Sequence, residues 1–239
     1  MFLRPSAGMI RRFRRRWKWC LGLILTYTCI LFLSFQLQHP MYFRKFRNVK
    51  MNRACTSTKV LGEVVELTHE VHSILSQLNI THFLLYGSHW GALRVGGPLP
   101  WDDDADLGLI ADKNYLSLSE KEFVDAFSSR GMNVTNNMAQ KTSLKLDRGN
   151  AHVDVMVYYD SNGLMKRKGW EPFLIPVHYR LHHSFPTWVI KTPPSLPTMQ
   201  FGYFNISIPR GGREIMKYLY RYNWWKDYVP DYQCQSIRW

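Results

Sequence analysis

Residues 86–109 read YGSHWGALRVGGPLPWDDDADLGL, and this stretch decides the fold of the chain around it. It joins a Gly-Ser step to an acidic run that ends in DADLGL at residues 104–109. Because side chains in a β-strand alternate between its two faces, a strand here places Asp104 and Asp106 on one face. The other face is apolar. The stretch therefore predicts a turn followed by a strand with one acidic face.

Two carboxylates about 7 Å apart on one strand face repel each other, and each raises the pKa of the other unless a cation lies between them. Oxygen ligands suit a hard divalent ion, so Asp104 and Asp106 predict bound Mg²⁺ or Mn²⁺. Asp102 has the same strand parity and is a candidate further ligand. Mg²⁺ commonly takes substrate phosphates as its other ligands, which indicates a phosphate-bearing substrate. The alternative is that the acidic run forms a solvated turn.

Two flanking segments supply partners for the acidic strand. Residues 80–86, ITHFLLY, predict a short buried strand that leads into Gly87 and Ser88. A Gly-Ser step that opens a helix presents backbone N–H groups to phosphate oxygens. Residues 151–159, AHVDVMVYY, predict a second strand with Asp154 in its middle. A lone carboxylate is costly to bury unless it is paired or bound to metal, so Asp154 is a candidate third ligand.

This combination of turn, Asp-x-Asp strand and later single-acid strand resembles the nucleotidyltransferase superfamily, whose three carboxylates hold two metals. More narrowly, residues 86–109 are similar to the signature of the LicD, fukutin and fukutin-related protein family, with its Gly-Ala-x-Arg and Pro-Trp-Asp-x-Asp-x-Asp. The resemblance continues through AHVDVMVYY and, more loosely, through residues 201–209, and covers roughly residues 58–229. It departs at His89 and Trp90, where the family usually has small or apolar residues, and this departure could reshape the donor pocket.

The resemblance implies transfer of a phosphopolyol or phosphocholine group from a CDP-linked donor to a glycan, with CMP leaving. The expected catalytic and metal-binding carboxylates are Asp104, Asp106 and Asp154, with Asp102 as a further metal ligand. The expected substrate-binding residues are Gly87, Ser88 and Arg94. Asp154 either completes a second metal site or acts as the general base. Arg94 either neutralises charge on the leaving CMP or is a structural ion-pair partner.

The formal charge of +13 suggests a nucleic-acid partner, but most of this positive charge lies outside the expected folded domain. Residues 1–18 hold seven Lys or Arg and residues 40–53 hold five, with no acid in either segment. Residues 54–239 hold nineteen basic residues against all eighteen acids. This near-neutral domain argues against nucleic-acid binding. With 46% hydrophobic and 15% aromatic residues, it has enough apolar material for one core.

The basic segments flank residues 20–37, which carry no charge and are just long enough to span a bilayer as a helix. The larger number of basic residues before the span favours a cytosolic N-terminus. A cleavable signal peptide is the alternative, although no small-residue cleavage site follows. The expected single-pass type II protein of the Golgi or ER membrane has a cytosolic tail at 1–18, a signal-anchor at 19–37, a basic stem at 38–57 and a lumenal catalytic domain at 58–239.

Other features fit a lumenal domain. Cys55 and Cys234 lie at its two ends, where an oxidising lumen permits a bridge; free thiols or intermolecular links are the alternatives. Glycosylation sequons begin at Asn79, Asn133 and Asn205. The expected partners are a CDP-linked donor and a glycan or glycoprotein acceptor, with a complex with other Golgi glycosylation enzymes left open.

The remaining pattern predicts an α/β fold in which helices flank a small mixed sheet. The predicted elements are a helix at 60–78, a helix that a capping box opens at 119–122 and Gly131 ends, strands near 143–146 and 151–159 joined by a hairpin turn, and a last helix at 213–225. Residues 166–168, KRK, predict a solvated turn, with contact to an anionic substrate as the alternative. Zinc ligation by His178, His182 and His183 is disfavoured because a fourth ligand is lacking.

Two competing functions stay open. A metal-dependent Golgi glycosyltransferase also carries an Asp-x-Asp motif, but it requires neither the Gly-Ser turn nor the later strand acid. A catalytically degenerate domain that scaffolds or chaperones a related enzyme is the second, and the His89 and Trp90 departures favour it. The presence of all three carboxylates argues against it.

Overall fold

The computed structural model describes residues 7–38, 55–136, 143–169, 183–191, 195–221, 224 and 234. The chain divides into two units, Met1–Arg53 and Ala54–Trp239. Each unit is described by itself.

The first unit contains one long helix, α1, at Ala7–Gln38. Several of its apolar side chains are exposed, among them Leu23 at 69% and Leu25 at 64%. Among the residues that the structure describes, we find no helix that combines the length and the apolar character needed to cross a membrane. The anchor at 19–37 stays a prediction, and most of the predicted stem, residues 39–54, lies outside the described residues.

The second unit begins with helix α2 and alternates helices with strands. Its first elements are α2 at Thr58–Gln77, β1 at His82–Leu84, α3 at Tyr86–Val95, β2 at Asp104–Ile110, α4 at Lys113–Ser117 and α5 at Glu120–Ser128. They are followed by β3 at Asn133–Asn136, β4 at Ser143–Arg148, β5 at Ala151–Ser161, β6 at Leu164–Arg167, β7 at Ser184–Pro186 and α6 at Trp188–Lys191. The last are β8 at Thr198–Phe201, β9 at Phe204–Ser207, a 3₁₀ helix at Gly212–Ile215 and α7 at Met216–Leu219.

Seven of these strands form one mixed sheet in which the spatial order is β1-β2-β5-β4-β3. Strands β2 and β5 are parallel, and every other pair in the sheet is antiparallel. Strand β6 pairs with the distal end of β5, and β7 pairs with β6. Strands β8 and β9 form a separate hairpin. The predicted α/β fold with a mixed sheet flanked by helices is confirmed.

The two helices predicted from periodicity and capping are both present. Helix α2 begins after Ser57, whose hydroxyl accepts a hydrogen bond from the Val60 N–H. Helix α5 has the complete capping box, in which Ser119 and Glu122 each accept a hydrogen bond from the other's backbone N–H. Gly131 follows it with φ of +77°, a left-handed conformation that favours glycine. Local sequence alone therefore sets these boundaries.

The two faces of the sheet have different roles. On one face, the alternate residues of β2 and β5 pack against α2 and α5 in the main core, which includes Leu107 and Val155. On the other face, Met156 and Tyr158 belong to a second apolar cluster with Phe185. The carboxylates of β2 and β5 share the face of this second cluster, because strand residues two apart point the same way.

Several elements differ from the sequence prediction. The strand expected at 80–86 has only three residues, since the next helix begins at Tyr86. The helix expected at 213–225 is replaced by the 3₁₀ helix and the short α7, and Tyr220 with φ of −127° ends it. Residues 222–223 and 225 lie outside the described residues. The β6–β7 and β8–β9 pairings were not predicted, because their runs of three or four residues carry little periodicity.

A disulfide between Cys55 and Cys234 joins the start of the second unit to a point 179 residues later. Their Cα atoms lie 5.5 Å apart. Of the alternatives that the sequence leaves open, the structure therefore contains the intramolecular bridge. Cys20 and Cys29 are free and exposed.

The loop after α3 packs so closely on Gly91 that we expect a methyl group there to destabilise the fold. A Cβ atom on Gly91 would overlap the Gly97 carbonyl oxygen and lie 3.1 Å from the Leu99 nitrogen. We expect Gly91→Ala to lower the free energy of unfolding by at least about 2 kcal/mol. The control is Gly62→Ala, in the interior of α2 with nothing within 4 Å. It should raise stability by about 0.5–1 kcal/mol. Urea unfolding measures both, and equal effects of the two changes would contradict the packing argument.

Candidate active site

The N-terminus of α3 faces the acidic strand. The helix begins at Tyr86, so Gly87 and Ser88 lie in its first turn rather than before it. The N–H groups of a first turn have no acceptor within their own helix, and no side chain caps this one. Tyr86 has φ of +44°, a strained conformation for a bulky residue. The structure thus presents backbone donors at the predicted phosphate-binding step.

Asp106 is held to this turn through its backbone on both sides. Its N–H donates to the Ser88 hydroxyl at 2.7 Å, and its carbonyl accepts from the Leu85 N–H at 2.9 Å. Ser88 is buried, with 2% exposure. Its oxygen therefore helps to fix the position of Asp106, while the hydroxyl proton remains able to donate to a ligand. The predicted phosphate contact of Ser88 stays a prediction.

Gly87 has a steric role that the sequence does not reveal. A Cβ atom at this position would lie 2.5 Å from Oδ2 of Asp102. The absence of a side chain on Gly87 therefore lets the Asp102 carboxylate approach the first turn of α3. Asp102 precedes β2 rather than lying in it, but it remains close to the other carboxylates.

The parallel pairing of β2 with β5 brings the predicted carboxylates together. Asp106 lies opposite Asp154, and Asp104 lies opposite His152. Partners in register point to the same face, and neighbouring strands are about 4.8 Å apart. Asp104, Asp106 and Asp154 therefore share one patch, as the sequence predicts.

These carboxylates strongly perturb each other. The pKa of Asp106 is raised well above its ordinary value by burial, and then by Asp104, Asp102 and Asp154. The pKa of Asp154 is also raised, by burial and by Asp104. Burial is the larger cause in both residues, and the neighbouring carboxylates add to it.

Two cations partly offset this repulsion. Arg167 lowers the pKa of both Asp106 and Asp154, and Lys145 lowers that of Asp154. Lys145 lies on β4 directly opposite Asp154, and Arg167 lies on β6 opposite Tyr158. The solvated turn expected at 166–168 is therefore wrong: Lys166 and Arg167 belong to a strand that carries a guanidinium to the acidic patch. The alternative expectation, that this segment contacts an anionic substrate, is closer to the observed role of Arg167, although the anions that it acts on here are Asp106 and Asp154.

Aromatic hydroxyls close the other side of the patch. The Tyr86 hydroxyl lies 3.2 Å from the Tyr158 hydroxyl and 2.5 Å from Nδ1 of His183. Burial, and then Asp106, Asp102 and Asp104, raise the pKa of Tyr220. Burial likewise raises the pKa of Tyr86, so these hydroxyls keep their protons and act as hydrogen-bond donors. The sequence places Tyr220 only within the predicted last helix, and no local pattern indicates its position beside the carboxylates.

Arg94, His89 and Trp90 lie further along α3. Arg94 is in the last turn, with its guanidinium 4.4 Å from the centre of the Trp90 ring. His89 is fully buried and hydrogen-bonds through Nε2 to the Gly212 carbonyl at 2.8 Å. Burial lowers the pKa of His89 to about 4. The structure thus uses the His-Trp departure to attach α3 to the C-terminal segment, and it places Arg94 at the end of α3 opposite to the carboxylates.

The chemistry of the acidic patch fits a hard divalent cation, since it offers only carboxylate oxygens whose charges repel. Within the described residues, however, no three His, Cys, Asp or Glu side chains already lie close enough together to hold a metal ion. Of the disfavoured zinc ligands, His183 contacts Tyr86, and His178 and His182 lie outside the described residues. The Mg²⁺ or Mn²⁺ site stays a prediction, supported by the repulsion among the carboxylates.

Comparison with known proteins agrees with this geometry. Residues 79–211 match the family described as LicD/FKTN/FKRP, nucleotidyltransferase domain, a match that includes the α3 turn and all the candidate carboxylates. The ribitol 5-phosphate transferase FKRP of Homo sapiens is 26% identical over 157 residues, which are 64% of this chain and 30% of that protein. An uncharacterized protein of Rickettsia typhi is 31% identical over 91 residues, which are 38% of this chain and 29% of that protein. The chain thus spans about a third of the length of these relatives.

Two solved structures are weakly similar. The complex of ANT(2″)-Ia with adenylyl-2″-tobramycin has 17% identity and a TM-score of 0.32, covering 42% of this chain and 53% of that one. The STING-associated CdnE c-di-GMP synthase from Capnocytophaga granulosa has 17% identity and a TM-score of 0.32, covering 59% and 56%.

The hydrogen bond from Asp106 to Ser88 gives a direct test of how the acidic strand is held. In Ser88→Ala the buried Asp106 N–H loses its acceptor, so we expect the free energy of unfolding to fall by about 1–3 kcal/mol. Ser88→Thr keeps the hydroxyl and should lose less. Chemical denaturation measures both variants. Wild-type stability of Ser88→Ala would show that the hydrogen bond contributes nothing.

Proposed function

The chain belongs to the LicD/FKTN/FKRP family of nucleotidyltransferase domains, and from this membership we propose that it is a metal-dependent phosphotransferase. It moves a phosphopolyol or phosphocholine group from a CDP-linked donor to a glycan acceptor in the secretory pathway. The observation that carries the proposal is the in-register pairing of Asp106 with Asp154, which gathers acidic side chains beside the N-terminus of α3. That arrangement suits a diphosphate donor better than any other ligand class, because it combines backbone donors with a metal-binding acidic patch.

The N-terminus of α3 binds the donor diphosphate in this proposal. The free N–H groups of Gly87 and Ser88 and the positive end of the helix dipole attract phosphate oxygens. The Arg167 guanidinium adds positive charge on the same side, since it acts on Asp106 and Asp154. The Tyr220 hydroxyl keeps its proton and can donate a hydrogen bond to the same oxygens, whereas the Tyr86 hydroxyl already contacts Tyr158 and His183.

The acidic patch would hold Mg²⁺ or Mn²⁺ through Asp104, Asp106 and Asp154, with Asp102 as a further ligand. The bound ion would neutralise the charge that develops on the phosphate oxygens during transfer. The two backbone hydrogen bonds of Asp106 hold this residue in place, so that its carboxylate need not reorganise as the reaction proceeds.

The transfer itself forms one bond and breaks one. An acceptor hydroxyl oxygen attacks the phosphorus that carries the polyol or choline, and the bond from that phosphorus to the CMP oxygen breaks. The acceptor proton passes to Asp154 if this residue serves as general base, a role that its raised pKa favours. CMP leaves with the electron pair of the broken bond.

We also propose that the second unit is lumenal, in the Golgi or the ER, and anchored through residues 19–37. The Cys55–Cys234 bridge is typical of an oxidising compartment. The three sequon residues Asn79, Asn133 and Asn205 are all exposed, and therefore accessible to oligosaccharyltransferase.

This placement predicts glycosylation of the chain expressed in a secretory eukaryotic cell. Enzymatic removal of N-glycans should increase its gel mobility, and Asn133→Gln with Asn205→Gln should reduce the shift. Protease added to intact microsomes should leave the second unit protected. A chain that carries no glycan and is digested without detergent would exclude the lumenal placement.

The donor site is tested by ligand-dependent thermal stabilisation of the full chain. We expect one of CDP-ribitol, CDP-glycerol or CDP-choline to raise the melting temperature in Mg²⁺ or Mn²⁺ but not with chelator. Asp106→Asn should abolish that rise and lower the transfer rate more than about a hundredfold. Its own melting temperature should equal or exceed the wild-type value, since it removes a repelling carboxylate.

The matched control is Asp125→Asn, which removes an exposed ion pair with Lys121 and should change little. Near wild-type transfer by Asp106→Asn would overturn the metal assignment. Stabilisation by UDP-sugars alone would favour the glycosyltransferase alternative. Absence of stabilisation by any nucleotide would favour the scaffold.

A further inference from the structure

A groove of about 530 Å³ lies beside the acidic patch, and the proposed donor chemistry does not use it. One wall is the segment that enters α2, with Thr56 and Val60. The opposite wall is the β4–β5 turn, with Asn150 and His152. Asp103, just before β2, lies between them.

Both walls are fixed to the rest of the second unit. The Thr56 N–H donates to the Pro100 carbonyl at 2.9 Å, next to the Cys55 disulfide. The Asn150 amide donates to Glu63 of α2 at 3.2 Å. The adjoining Arg148 forms an ion pair with Glu70 of the same helix. The groove is therefore preformed by cross-links between distant parts of the chain.

His152 connects the groove to the reacting groups. Asp103 precedes Asp104, and His152 lies opposite Asp104 across the parallel strands. His152 also lies two residues before Asp154 on the same strand face. A molecule that contacts His152 in the groove would thus have one end beside the carboxylates.

Its lining suits an uncharged, hydroxyl-rich ligand. Thr56 and Asn150 offer neutral hydrogen-bonding groups, and Asp103 offers a carboxylate. The His152 ring is fixed by a hydrogen bond of 2.5 Å from Nδ1 to Asp147, so that its other nitrogen is left for a ligand. No Lys or Arg is present among the lining residues in the described part of the chain. An anion would meet the Asp103 carboxylate without a compensating cation, whereas a sugar hydroxyl can donate to it.

We propose that this groove binds the acceptor as a neutral carbohydrate, with the hydroxyl that receives the phosphoryl group directed at Asp104 and Asp154. This inference rests on the proposed transferase function. It assigns the donor and the acceptor to different sides of the acidic patch. The anionic donor lies on the side of α3 and Arg167, and the neutral acceptor lies on the side of the β4–β5 turn, where the described lining residues carry no cation and the nearby Lys145 is paired with Asp147 at 3.8 Å.

The test measures glycan and donor binding separately on the purified full chain. Neutral, sialylated and phosphorylated oligosaccharides are compared on a glycan array, and Kd values are measured for those that bind. Donor binding is followed by Mg²⁺-dependent thermal stabilisation with the CDP compounds. We expect neutral oligosaccharides to bind. Thr56→Trp, which fills the groove and keeps the backbone bond to Pro100, should weaken that binding at least tenfold.

Asn150→Ala should weaken glycan binding about threefold to tenfold, the effect of one lost hydrogen bond. The matched control is Asn114→Ala, which also removes an exposed amide that donates one hydrogen bond, to the Asn79 carbonyl. It should bind glycans as the wild type does. All three variants should retain the wild-type response to the donor.

Wild-type glycan affinity in Thr56→Trp would overturn the inference, as would a preference for anionic glycans. Donor binding without binding of any neutral glycan would also overturn it, and would leave the proposed transferase function in place. Conversely, neutral glycan binding that Thr56→Trp abolishes, in a chain that binds no CDP compound, would support the groove and overturn the proposed function.

Discussion

The parallel pairing of β2 with β5 is the constraint on which the site depends. It places Asp106 opposite Asp154 and so confines like charges to one partly buried patch. Such a patch is unfavourable by itself, as the raised pKa values of both residues show. The protein offsets part of this cost with Arg167 and holds Asp106 by two backbone hydrogen bonds. The remaining repulsion is what a bound cation would relieve in the proposed site.

The two faces of the sheet have separate roles, one in stability and one in chemistry. One face buries a continuous apolar core against α2 and α5, so its residues are needed for folding. The other face is apolar at one end of β5 and acidic at the other. Around the acidic end, Arg167 and backbone donors lie on the side of α3 and β6, whereas on the side of the β4–β5 turn Lys145 is paired with Asp147 and the groove is lined by the Asp103 carboxylate. This asymmetry of charge would distinguish two substrates with different charges.

The sequence predicts what depends on local pattern. Alternation places Asp104 and Asp106 on one face, and the isolated acid in a β-prone run identifies Asp154. The capping box of α5 and the periodicity of α2 are local as well. Arg167 was missed because its contribution depends on β6 pairing with β5, a contact that no short pattern encodes. The second role of Ser88 was also missed, because the sequence cannot show that its hydroxyl accepts a hydrogen bond from the Asp106 N–H, eighteen residues away.

The disulfide between Cys55 and Cys234 can form only after the strands between them have been synthesised. During synthesis Cys55 emerges long before its partner, because 179 residues separate them. Until then Cys55 remains a free thiol at the edge of the groove, open to exchange with oxidoreductases or with other nascent cysteines. The wall that Cys55 belongs to is thus completed last, after the sheet and the acidic strand have been made. A cell that secretes this chain would have to protect this early thiol until Cys234 emerges, and would have to supply an oxidant from that point on.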